Sequence, residues 1–181
     1  RVIVTTHIPP GLGDSDHEKG YRDVFSEAYL RTLDGYNDII VGSFYGHNHL
    51  ESVRLIKDMD GKSAHVAFLT SSVTPDVDVN PSVTMYKYKR TYPFTILDRV
   101  PIYVDIDATD KAKGELKWFE TESEAQEYGI PDMSPESIEK LIANMEADDT
   151  LFQKFFDRLH LFFKGKTCDA KCKHRVLCVV K

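Results

Sequence analysis

The chain has 181 residues, of which 41% are hydrophobic and 29% charged, with a formal net charge of -6. That length and composition suit one globular domain, or one domain and a small appendage, around a true core. The negative charge excludes a general nucleic-acid binder, which needs a basic surface against phosphates, and no apolar run is long enough to span a membrane.

RVIVTT at residues 1–6 is a β-branched run that predicts a buried strand. It carries neither an initiator methionine nor a signal peptide. The sequence therefore reads as part of a longer protein, with any targeting signal upstream. HIPPGLGDSDHEKG follows, and its prolines and glycines make a loop. YRDVFSEAYLRTLDGY places Phe25, Tyr29, Leu30 and Leu33 on one helical face and stops at Asp34-Gly35. DIIVGSFYGH predicts a second buried strand. In ESVRLIKDMDGKSAHVAFLT, two strand-like runs flank Asp60-Gly61, a strong hairpin signal. SVTMYKYK alternates as a strand does, and TILDRVPIYVDID supplies one or two more, with Pro101 forcing an edge or a break.

From about Gly114 the character turns helical. Ser134 precedes Pro135, the pairing of an N-cap with a first helical residue. DDTLFQKFFDRLHLFF starts another helix, capped by Asp148 or Asp149. Its apolar run over 151–163, broken by Lys154, Asp157, Arg158 and His160, is spaced to face a core. Trp118 and the tail phenylalanines are expected to pack helices onto a sheet. The layout is thus mixed α/β over 1–113 and helical over 114–181. All three cysteines lie in the tail: Cys168, Cys172 and Cys178. The residues alone fit a helix with buried thiols, a disulfide with one thiol left over, or half a metal site. An odd count also suits a disulfide framework whose last partner lies beyond Lys181.

His7 and the pair His47 and His49 share a context, since each follows an apolar strand and opens a loop. Strand ends are where ligands gather in open α/β sheets. In extended backbone, residues i and i+2 point the same way, which would aim His47 and His49 into one site. Imidazole is a common neutral ligand for divalent transition metals, and Gly46 lets backbone approach closely. A lone strand-end histidine is more often a surface residue, and a bare H-x-H arises by chance. Gly-His-x-His after a buried strand, with an upstream His-Ile-Pro-Pro-Gly, is the stronger signal. Other groups carry less weight. Asp14, Asp16, His17 and Glu18 read as a solvated loop at a site rim, and Asp76 and Asp78 as a turn. His65 reads as a packed or edge residue of the hairpin, and YKYKR at 86–90 as an exposed strand face. His160 and His174 are not expected to be catalytic.

THIPPG, GSFYGHNHLESVRLIKD, AFLTSSVTPDVDVNPSVTMYKY and CDAKC together resemble the acid sphingomyelinase-like branch of the calcineurin-type metallophosphoesterases. Trp118, Tyr128, Gly129, Ser134 and the LFQKFF helix resemble its C-terminal part. The resemblance covers nearly the whole chain. It implies an α/β fold class: the C-terminal half of a metallophosphoesterase αββα sandwich over 1–113, then a helical, cysteine-containing C-terminal subdomain over 114–181. It further implies metal-dependent hydrolysis of phosphodiesters by a hydroxide that two divalent metal ions, typically Zn2+, activate. By the same resemblance His49 ligates one ion, while His7 and His47 ligate the other; Cys168 and Cys172 form a disulfide, and Cys178 stays without a partner in this chain. Asn80-Pro81 matches a family motif expected to be structural.

The branch's Asp-x-His, bridging Asp and Asn-His, and the histidine that acts as general acid, belong to the first half of the domain and are absent here. The chain is accordingly expected to supply part of a site, with the N-terminal half of the same domain as its partner, and to be inactive alone. The substrate implied is a phosphodiester, phospholipid or nucleotide-like, and the location secreted or lysosomal. Two other readings stand beside this one: a nucleotide or phosphomonoester phosphatase of the same superfamily, and a non-catalytic scaffold.

Overall fold

The computed structural model describes residues 1–13, 19–109 and 113–181. Strand β1 (Val2–Thr5) leads through helix α1 (Asp23–Asp34) to β2 (Ile40–Tyr45), followed by β3 (Ser52–Lys57) and β4 (Ser63–Leu69). These four form one sheet in the order β1-β2-β4-β3. β1, β2 and β4 run parallel, and β3 pairs antiparallel to β4 at the edge. The hairpin turns where Asp60-Gly61 predicts it: Gly61 takes φ +82°, and Asp58 Oδ1 accepts from the backbone N–H groups of Asp60 and Lys62. The parallel β1–β2 pair with α1 between its strands forms a β-α-β unit.

A second, antiparallel sheet holds β5 (Ser82–Tyr88), β6 (Ile96–Val104) and β7 (Trp118–Glu120) in that order. Pro101 neither breaks β6 nor places it at an edge, since β6 is the central strand. The Pro101 carbonyl accepts from Thr121 N–H, so its missing donor faces the β7 side, one residue past the last β7 pair. The lost hydrogen bond falls where the ladder has already ended.

Four further helices follow: α2 (Glu124–Tyr128), α3 (Pro135–Ala147), α4 (Asp149–Leu159) and α5 (Ala170–Val180). Ser134 caps α3 with Pro135 at its first position, and Asp148 caps α4 by accepting from Thr150 and Leu151 N–H. α4 stops at Leu159, short of the predicted end, because Leu161 and Phe162 turn into the left-handed region at φ +49° and +59°. That turn buries Leu161 and exposes Phe162.

The principal core lies between the first sheet and these helices. Val53, Leu55, Val66 and Phe68 pack with Ile138, Leu141, Ile142, Met145, Phe152, Phe155 and Phe156. On the other face, Tyr29 and Leu30 of α1 cover Tyr45, Ile56, Ala67 and Leu69. Three packing expectations need correction. β1 is an edge strand beyond the reach of α1, so Val2 and Ile3 are exposed rather than buried. Only the C-terminal part of α1 meets the sheet, which leaves Phe25 in solvent. Trp118 lies exposed on the edge strand β7 and joins no helix to a sheet.

Cys168 and Cys172 are bonded, with Cα atoms 5.2 Å apart, and Cys178 is a free, exposed thiol. The disulfide brackets Asp169, the N-cap of α5, whose carboxylate accepts from Cys172 N–H. Among the described residues, no helix is long and apolar enough to cross a membrane.

Candidate functional site

The parallel pairing of β1 and β2 brings His7 to Gly46. Thr6 N–H donates to Phe44 C=O at 3.1 Å, and Gly46 N–H donates to His7 C=O at 3.0 Å. The pairing thus continues past both strand ends and sets the two loops side by side. A Cβ at Gly46 would lie 3.4 Å from His7 Nδ1, at van der Waals contact, which shows how closely the two loops approach. Gly20 performs a related service for the His-Ile-Pro-Pro-Gly loop. A Cβ there would meet the Pro9 carbonyl at 2.6 Å, in a place where Gly20 N–H closes onto Gly11 C=O.

His7 and His47 face each other edge to face, with ring centroids 5.2 Å apart, and both are exposed. His49 is half-buried, and its Nδ1 is buried without a hydrogen-bond partner among the described residues. That atom stands 3.9 Å from Asp76 Oδ2. The backbone differs from the extended segment that the i, i+2 reasoning requires. His47 and His49 both take left-handed φ, +67° and +60°, and Asn48 N–H folds back onto Gly46 C=O. Strand alternation therefore does not set the two ring directions; the turn does. Among the described residues, no three His, Cys, Asp or Glu side chains are grouped closely enough to hold a metal ion. The structure brings together two of the three predicted histidines and sets the third against a carboxylate.

The donors nonetheless suit divalent ions. Two exposed imidazoles stand side by side, and the third presents a buried nitrogen with no hydrogen-bond partner among the described residues. Asp76 was legible only as a turn residue. Left-handed backbone at Val77 and Asp78 curls that turn back to His49, and no local pattern announces the meeting. Asp14, Asp16, His17 and Glu18 lie outside the described residues.

Behind this loop lies a chain of buried charges. Glu51 is 1% exposed. Its Oε1 is 3.2 Å from Arg99 Nη1, and its Oε2 accepts from Ser71 N–H and the Thr84 hydroxyl. Arg99 also donates to the Ser52 carbonyl at 2.7 Å and to Glu124. Glu124 approaches Arg158, which in turn binds Glu127, Thr121 Oγ1 and the Glu122 carbonyl. Burial pushes the Glu51 carboxyl above its ordinary range, against the pull of Arg99. Burial works against the Arg99 charge, but Glu124 and Glu51 outweigh it and hold the guanidinium protonated. Asn80, the expected structural residue, is buried, and its side chain donates to Leu161 C=O and accepts from Ile106 N–H.

A cavity of about 440 Å³ opens beside the site, running from Pro9 and Gly11 past His47 and Asn48 to Leu159 and Arg175. Several of its cations already have local partners: Lys166 pairs with Asp78 at 2.8 Å, and Arg54 donates to the Pro10 carbonyl. His65, in contrast, lies far along β4 from this site. It is buried, neither ring nitrogen has a partner among the described residues, and burial pulls its pKa down to about 4.

Comparison with known proteins places the chain in a family. Residues 61–181 match the model of the acid sphingomyelin phosphodiesterase C-terminal region. Among curated relatives, the human acid sphingomyelinase-like phosphodiesterase 3b is 25% identical over 99% of this chain and 41% of its own length. The rat cyclic GMP-AMP phosphodiesterase SMPDL3A is 28% identical over 99% of this chain and 42% of its own. Sphingomyelin phosphodiesterase 1 of Caenorhabditis elegans is 28% identical over 98% of this chain and 31% of its own. The chain thus spans less than half the length of each of these relatives. The family match covers two-thirds of the chain, and the chain belongs to the acid sphingomyelin phosphodiesterase family.

Proposed function

We propose that this chain supplies part of the active site of a metal-dependent phosphodiesterase, in which His7 and His47 hold one divalent ion and His49 the other. The N-terminal half of the same domain, in the longer polypeptide, contributes the remaining ligands and the general acid. The observation that carries this reading is the meeting of His7 with His47 at adjacent ends of parallel strands, with His49 Nδ1 left without a hydrogen-bond partner on the same loop.

Two zinc ions in such a site supply Lewis acidity that activates water and neutralises charge on the phosphoryl oxygens. The chain's own residues do the holding. His7 and His47 offer ring nitrogens from two loops locked together by the Gly46–His7 hydrogen bond. Asp76 Oδ2 stands 3.9 Å from His49 Nδ1, beyond hydrogen-bond reach, and leaves that nitrogen open to an ion. The exposed apolar flank supports a partner segment: Val2, Ile3, Phe44, Tyr86 and Phe94 line a groove of about 210 Å³. The substrate is a phosphodiester, of phospholipid or nucleotide-like type, in keeping with relatives named for sphingomyelin and for cyclic GMP-AMP. A secreted or lysosomal location accords with the Cys168–Cys172 disulfide, since such bonds persist in oxidising compartments.

The test is turnover of a chromogenic phosphodiester by the full-length polypeptide, stripped with chelator and restored with Zn2+. His47→Ala should abolish most activity and lose one of two bound zinc equivalents. Preference for a phosphomonoester would instead make the protein a phosphatase, and a folded, zinc-loaded protein without turnover would make it a scaffold.

A further inference from the structure

We infer that Glu51 is a positioning residue for the histidine loop: its carboxylate, held by Arg99, Ser71 and Thr84, fixes the loop's end against the second sheet. This rests on the proposed metal site.

His47 and His49 both hold left-handed backbone, an unfavourable conformation for a non-glycine residue that persists only where the surroundings over-determine it. Within the loop, Gly46 N–H bonds to His7 C=O and Asn48 N–H to Gly46 C=O, while His47 is exposed and His49 half-buried. Further restraint comes immediately after it. Leu50 is buried in the principal core. Glu51 then has tethers to four separate places. Its N–H donates to Leu159 C=O at the end of α4, at 3.0 Å. Its carboxylate meets Arg99 of β6, Ser71 N–H beyond β4, and the Thr84 hydroxyl of β5.

A buried ion pair is a poor choice where only stability is needed, because apolar residues of the same volume often do as well or better. A carboxylate whose Oε2 accepts two hydrogen bonds while its Oε1 faces a guanidinium at 3.2 Å is held in one orientation, which apolar packing does less sharply. The same charge chain contains an internal control. Arg158 is as deeply buried as Arg99, yet it serves Glu127, Thr121 and Glu122, at the end of the chain away from Glu51. A purely stabilising network would make both ends equivalent. A positioning role makes only the Glu51 end matter to the histidines.

The experiment compares Glu51→Gln with Arg158→Met in the full-length polypeptide. Three quantities are read beside melting temperature: Zn2+ affinity by chelator competition, kcat and KM on a chromogenic diester at saturating Zn2+, and amide exchange of Gly46 and Asn48 in the metal-free protein. Glu51→Gln should weaken Zn2+ binding and lower kcat by about 10–100-fold each, the range found when groups that orient metal ligands are removed. KM should stay within about twofold, and the two amides should exchange about tenfold faster. Arg158→Met should lower the melting temperature at least as much while leaving those readouts near wild type. Losses in both variants that merely track melting temperature would overturn the inference. Should Glu51→Gln fail to fold, the Glu51→Met/Arg99→Met double variant, apolar and similar in volume, takes its place. Wild-type kcat, Zn2+ affinity and amide exchange in that variant would equally overturn it. A wild-type protein that neither binds Zn2+ nor turns over diester would sink the proposed function along with this inference, whereas an active wild type with an unaffected Glu51→Gln sinks this inference alone.

Discussion

Helices α3, α4 and α5 bury Ile138, Leu141, Met145 and Phe155 almost completely, whereas β1 and the start of α1 leave Val2, Ile3, Val24 and Phe25 in solvent. The histidines sit on the second, thinly packed side, on loops that leave β1 and β2. Stability and the proposed chemistry are therefore housed in different regions. The helical region encloses its core, and the strand-end region presents the exposed histidines proposed as ligands. The Glu51 tethers are the physical link between them, since they join the site loop to α4 and to β6.

The widest gap between the two regions should appear in activity. The isolated 181-residue chain should fold around its helical core yet show no phosphodiesterase turnover, because three histidines without carboxylate ligands make an incomplete two-metal site. Assay of the purified chain with added zinc checks this, and chelator-sensitive turnover would break the comparison outright.

In stability, the contrast should run the other way. Phe155→Ala in the helical core should cost about 3–5 kcal/mol. Phe25→Ala, at a side chain largely in solvent, should change stability by no more than about 0.5 kcal/mol. Urea unfolding of the two variants reads the difference directly, and equal losses would show the strand-end region to be as tightly packed as the helices.

His65 sharpens the comparison through pH. Its pKa is pulled to about 4 in the fold by burial, against an ordinary value of 6.5. Below 6.5 the unfolded chain binds a proton that the folded chain refuses. Stability should thus be full above that pH and fall as pH drops toward about 4, by a total of about 3 kcal/mol. His65→Leu should flatten this part of the pH profile and raise stability most at acid pH. An unchanged slope between those limits in thermal melts would show that His65 is not the group responsible.

The disulfide should matter less than His65. The loop between Cys168 and Cys172 is short, so Cys168→Ser with Cys172→Ser should cost about 2 kcal/mol. The change should loosen the start of α5 first, visible as faster amide exchange at Cys172 and Lys173, whose N–H groups bond to Asp169.

Much of this architecture was legible in residue order. The Asp60-Gly61 hairpin, the Ser134-Pro135 and Asp148 caps, the α1 crossover and the convergence of His7 on the His47 loop all follow from patterns a few residues long, plus the tendency of parallel strands to share an end. Local rules decide such features because their energies are local: turn dihedrals, capping hydrogen bonds and periodic apolar faces. Tertiary structure alone decided the rest. Glu51, Arg99, Glu124 and Arg158 are ordinary charged residues in the sequence, and only the packing of β3, β6, α2 and α4 turns them into one buried network. Asp76 meets His49 only through a left-handed turn at Val77 and Asp78 that apolar periodicity does not encode. Exposure of Val2, Phe25 and Trp118 was likewise unreadable, since a β-branched run or an aromatic states a preference for burial while the neighbouring elements determine whether anything covers it.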